Sequence, residues 1–147
     1  MPRSLFRVGL VVYLRVVLWL TLRPLPGPKA PVALVPLVDT WRQMRDLGNR
    51  EAAREVIGNV LLFVPLGFLL AACLPRARRF LRAVVVGAGI SLAIEATQSL
   101  PSVSRSTSVD DFMFNTIGAA IGASIFILVG GALRYRRARH GEAQPQS

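Results

Sequence analysis

The chain has 147 residues, enough for one domain; 52% are hydrophobic and the mean hydropathy is +0.47. That apolar share is above the usual level for soluble domains and it comes in long runs, which points to a membrane protein before any motif is read. The formal net charge of +10 is carried by Arg almost alone, and most Arg flank the apolar runs, so they read as topology signals and not as a nucleic-acid footprint.

Four apolar runs follow one another, at about 5–22, 56–74, 80–100 and 112–133. Each is close to the ~20 residues that cross the hydrocarbon core as a helix, and helix is the form that lipid permits. The expected fold is therefore all-α, a polytopic bundle of four transmembrane helices. It forms a single domain over 1–140, with a flexible polar tail at 141–147. The first run begins like a signal peptide, but Arg15 interrupts it and no small-x-small site follows, so it is read as a retained helix.

Between runs one and two, Val38, Trp41, Met44 and Leu47 recur at helical spacing, which suggests a short helix in the outer interface or packed on the bundle. Gly48-Asn49 breaks it, and Asn49 can cap the helix that leads into run two. Pro65 predicts a kink in run two. RARRFLR (76–82) joins runs two and three, RYRRAR (134–139) follows run four, and Arg3 and Arg7 precede run one. These clusters fall on one side if both termini are cytoplasmic, although the 24–55 loop carries Lys29, Arg42, Arg45, Arg50 and Arg54 on the other.

With those directions, polar residues gather at one depth. Glu95 lies five residues before Leu100, roughly 7–8 Å below the outer end of run three, with Gln98 on the same face. Asp111 and Asn115 open run four, Asn59 opens run two with Glu55 one turn above, and Arg15 lies about 10 Å below the end of run one. Lipid would penalise such a layer if it faced outward. It is expected to face a shared cavity open to the outer surface. In run four Asp111, Asn115, Gly118 and Gly122 share a face whose G-x-x-x-G step permits close helix approach, and in run three Ala88, Ser91, Glu95 and Gln98 form a matching stripe. The 101–109 loop places Arg105 over the same region, where it could pair with Glu95 or Asp111 or bind an anion.

Plainer readings stand beside this one. Ser108-Val-Asp-Asp111 fits an S-x-x-D cap, in which Asp110 and Asp111 only complement the helix dipole. Glu95 and Arg15 could be an ion pair that sets helix register, and Asn59 and Asn115 could be interhelical hydrogen bonds. The lone cysteine, Cys73, excludes an internal disulfide, and with one histidine, His140, in the polar tail no metal cluster or cofactor is expected.

NVLLFVPLGFLL (59–70), IEATQ (94–98) and R-x4-DDFMFNTIGAAIG (105–122), preceded by LTLRP (20–24), resemble the VanZ-like family of small bacterial membrane proteins. Asn59, Pro65, Gly67, Glu95, Gln98, Arg105, Asp110, Asp111, Asn115 and Gly118 carry the pattern, and 25–55 carries little of it. The family takes its name from a protein associated with resistance to teicoplanin, a glycopeptide antibiotic with a lipid tail. The resemblance implies a protein of the bacterial plasma membrane. Its partners would be membrane lipids, a lipid-linked wall precursor or a lipoglycopeptide, without nucleic acid.

Two functions follow. In the first, the polar cavity binds a headgroup through Asn59, Glu95, Gln98, Arg105, Asp110, Asp111, Asn115 and Arg15. In the second, a membrane-embedded enzyme uses Glu95 and Asp111 in acid–base chemistry on a lipid or wall substrate, since burial disfavours the charge of a carboxylate and suits it to proton transfer. The chain offers no Ser-His pair, metal cluster or phosphate loop in support of an enzyme. An ion path ranks last, because the inner halves of the runs are apolar.

Overall fold

A computed structural model describes residues 3–23, 37, 40–41, 44–45, 49–100 and 108–142. Among them are four helices, each long and apolar enough to cross a membrane, and no strand: α1 (Arg3–Leu22), α2 (Asn49–Cys73), α3 (Arg79–Gln98) and α4 (Val109–Glu142). The expected all-helical membrane architecture is thus present. Two boundaries differ from the hydropathy runs. α2 starts at Asn49, two turns before the apolar run, because Arg, Glu and Ala are good helix formers even where they are polar. α4 continues through RYRRAR to Glu142 for the same reason, past the 140/141 boundary drawn from composition; the rest of the tail lies outside the described residues.

The outside of the bundle is apolar. Trp19, Leu61, Val85, Leu92 and Leu128 are each more than half exposed, as lipid-facing side chains should be. In lipid, burying apolar surface does not drive helices together, so close packing and internal hydrogen bonds must. The most extensive interface joins α2 and α4, with α3 against α4 and α1 against α2. Small residues make the first of these possible. A Cβ on Gly122 would overlap the Val64 carbonyl and lie 2.7 Å from Phe68 N, and one on Gly118 would overlap the Val60 carbonyl. Gly67 meets the Ala119 backbone from the other side. The partner of the G-x-x-x-G step is therefore α2.

The stripe on α3 differs by one residue from expectation. Gly87, not Ala88, begins it: Gly87 and Ser91 are buried while Ala88 is half-buried, and a Cβ at Gly87 would stand 2.7 Å from Ala119 Cβ. α4 is thus clasped between α2 and α3. The core consists of Val17, Phe63, Leu66, Leu70, Ile94 and four alanines.

α2 runs through Pro65 as helix. The N–H that proline lacks leaves the Leu61 carbonyl without its helical donor. Beside it, Tyr13 of α1 donates its hydroxyl to the Leu62 carbonyl at 2.9 Å, which ties α1 to the weakened turn. Of the proposed interface helix, Trp41 and Met44 lie in helical segments and are exposed, while Val38 and Leu47 lie outside the described residues.

Candidate functional site

At the end of the bundle opposite the chain termini, α1, α2, α3 and α4 enclose a cavity of about 250 Å³. Its wall includes Asn59 of α2, Glu95 and Gln98 of α3, and Asp111 and Asn115 of α4. Five of the residues singled out from sequence are therefore brought together from three helices. Arg54, Glu55, Gly58, Thr21 and Ile94 complete the wall.

The start of α4 sets the geometry. Ser108 is its N-cap: the Asp110 N–H donates to Ser108 Oγ at 3.0 Å. A capping box would have residue 111 reach back to the Ser108 N–H. Here that N–H donates to Glu95 Oε2 at 3.4 Å, so an acid on α3 meets the N-terminus of α4. Glu95 is buried, at 6% exposure, and its carboxyl group lies at the positive end of the α4 dipole. Asp111 turns the other way and accepts a hydrogen bond from Asn59 Nδ2, joining α4 to α2. Gln98 Nε2 donates to the Thr21 carbonyl at 2.8 Å and joins α3 to the last turn of α1. Each polar group thus links two helices, and Glu95 and Asp111 each commit an oxygen to that scaffold.

Asn115 also joins two helices, α4 and α3, but uses only one of its two polar atoms. Its Nδ2 donates to Ser91 Oγ at 3.0 Å, but its Oδ1 is buried without a hydrogen-bond donor. The residue is 3% exposed, and it lines the cavity. A buried carbonyl oxygen without a donor costs about 1–3 kcal/mol.

Three further candidates fall elsewhere. Arg15 is exposed, because Tyr13 and Val17 face the bundle and a residue two positions from each lies about 200° away around the helix. It does not line the cavity and is not placed to pair with Glu95. Asp110 is buried at 3% exposure, but it accepts from the Leu37 N–H, the Thr40 N–H at 2.9 Å and the Thr40 hydroxyl at 2.8 Å. It holds Leu37 and Thr40 against the start of α4 and is absent from the described cavity wall. Arg105 lies outside the described residues.

Sequence reasoning left Arg54 and Thr21 out of the site. Arg54 and Gly58, and Glu55 and Asn59, stand at i and i+4 on α2. Extending the helical period two turns above the apolar run would have placed them. Thr21 meets Gln98 through a backbone carbonyl, which leaves no signal in the side chain.

The family model described as VanZ/LLP1 matches residues 10–130. The chain belongs to the VanZ/LLP1 family. The match reaches into all four helices and covers every residue described in the cavity wall, and with the four apolar helices it makes the chain a VanZ-like multi-pass membrane protein. No curated protein and no solved structure matches it. Among the described residues no group of His, Cys, Asp and Glu could hold a metal ion.

Proposed function

We propose that this VanZ-like protein binds the polar headgroup of a lipid, a lipid-linked wall precursor or a lipoglycopeptide of the teicoplanin type. The site is the cavity at the outer face of the bacterial plasma membrane, and both termini are cytoplasmic. The observation that carries the reading is the polar wall itself, where three helices bring Asn59, Glu95, Gln98, Asp111 and Asn115 together, with Asn115 Oδ1 left without a donor among the described residues. Its ligand supplies a hydroxyl, an amide N–H or an ammonium group. The described wall contains Glu55, Glu95 and Asp111 against Arg54, a balance that also favours hydroxyls and amines. Headgroups and glycopeptides are rich in both.

The test uses Asn115→Leu, which keeps the branching of the side chain and removes the acceptor together with the bond to Ser91, and Gly58→Leu. A Cβ on Gly58 meets nothing within 4 Å, so the added side chain occludes the cavity wall without disturbing the core. Wild type and variants are expressed at matched membrane abundance in a susceptible Gram-positive host. Each strain is challenged with teicoplanin and vancomycin, and the purified proteins are examined by native mass spectrometry for retained lipid. The expected result is a retained headgroup-bearing ligand, or protection against the tailed drug alone, that both variants lose. Wild type that retains nothing the variants lack, and protects against neither drug, would sink the proposal.

A further inference from the structure

The other end of the bundle carries a second cavity, and it is basic. Two contiguous clefts of about 240 and 550 Å³ open beside the α2–α3 turn. Arg76 and Arg78 of the turn, Arg79 of α3 and Arg134 of α4 line them, and among the described residues no acidic one does. The remaining wall is apolar, chiefly Phe126 and Ile127.

A topology signal requires only that positive charges be counted on one side. It does not require them to converge, and these do. Arg79 is held in place. Its Nε and Nη2 donate to the Leu74 carbonyl at 3.3 and 3.1 Å, and its guanidinium lies 5.2 Å from the centre of the Phe126 ring. Phe126 is fixed in turn by edge-on contacts with Phe68 at 5.2 Å and Phe6 at 6.2 Å. Arg134 lies back along its own helix. Its Nη1 comes within 3.9 Å of where a Cβ on Gly130 would stand, and Gly130 is itself part of the wall. Arg76, Arg78 and Arg134 are exposed around one concavity, a concentration of positive charge that favours an anion among them. Guanidinium forks match the oxygens of a phosphate, and an apolar wall beside them suits a molecule with an acyl or glycerol portion.

We infer that this basic cavity binds a phosphate group, with Arg76, Arg79 and Arg134 as its donors and the Phe126 wall against the rest of the molecule. Lipid headgroups lie at the height of the bundle's ends, so an anionic phospholipid is one source and a soluble phosphate the other. The site is separate from the polar cavity at the opposite end and does not depend on what that cavity holds.

Full-length protein is reconstituted in phosphatidylcholine nanodiscs with and without phosphatidylglycerol. Annular and retained lipids are identified by native mass spectrometry, and inorganic pyrophosphate is titrated in a separate arm. Two double variants remove equal charge: Arg76→Gln with Arg134→Gln inside the cavity, and Arg137→Gln with Arg139→Gln outside it. Arg79 is left intact because it holds the turn. The cavity variant is expected to lose phosphatidylglycerol enrichment or pyrophosphate affinity on the order of tenfold, while the outside variant matches wild type. Enrichment of the lipid identifies a headgroup; binding of pyrophosphate without it identifies a soluble phosphate. Equal losses in both double variants, or no anion preference in wild type, overturn the inference. Should the double variant fail to fold, Arg134→Gln alone, on the exposed face of α4, is judged against Arg137→Gln by the same criteria.

Discussion

Glu95 shows how a costly residue becomes tolerable. A carboxylate in a membrane helix is unfavourable unless it has partners, and Glu95 has the N-terminus of α4. Glutamine retains an acceptor for the Ser108 N–H, whereas alanine does not. Glu95→Gln is expected to lower stability by about 1 kcal/mol, and Glu95→Ala by roughly 2–3 kcal/mol, in thermal unfolding in detergent. Asn115 separates from Glu95 by the same reasoning. Its amide hydrogen is used and its oxygen is not, so Asn115→Leu, which also breaks the bond to Ser91, should cost about 1 kcal/mol, less than Glu95→Ala, while removing ligand. A loss of abundance as large as that of Glu95→Ala would mean that Asn115 is only a scaffold bond.

Among the elements, the α2–α4 pair depends on close backbone approach. Gly122→Ala places a methyl group against the Val64 carbonyl, and the helices must separate to admit it. We expect a loss of about 2–3 kcal/mol or more, read as a fall in melting temperature. Gly89, with nothing within 4 Å of a Cβ, is the control, and alanine there should stabilise by roughly 0.5–1 kcal/mol through helix propensity. Asp110 acts between elements as well. Asp110→Ala removes the acceptor of three donors on Leu37 and Thr40. Amide exchange at Leu37 and Thr40 should accelerate at least as much as at any cavity residue; unchanged exchange would show that these residues are held by something else.

Across the whole molecule, polarity is divided between two ends. One end gathers Asn59, Glu95, Gln98, Asp111 and Asn115, and the other gathers Arg76, Arg78, Arg79 and Arg134. The positive-inside rule assigns the arginine end to the cytoplasm. Cysteine labelling tests it, because Cys73 is the single native cysteine and can be replaced by alanine. A cysteine at Arg139 should react with an impermeant maleimide only after permeabilisation, and one at Trp41 should react in intact cells. The reverse pattern would move the polar cavity to the cytoplasmic leaflet and remove the basis for recognising an extracellular drug.

Much of this is legible in the linear order of residues, for a physical reason. Lipid demands about twenty apolar residues per crossing and rejects unpartnered polar groups, so the four helices and the depth of Asn59, Glu95 and Asn115 follow from hydropathy and a rise of about 1.5 Å per residue. The direction each group faces within that layer does not follow. Arg15 lies at a suitable depth but on the exposed face of α1, since rotation about the axis depends on which neighbours pack there. Asp110 and Asp111 are adjacent, yet one secures Leu37 and Thr40 and the other meets Asn59, because successive residues on a helix point about 100° apart. The convergence of arginines from a turn and two helices has the same origin: charge counts are additive along a chain, whereas a cavity exists only once the helices meet.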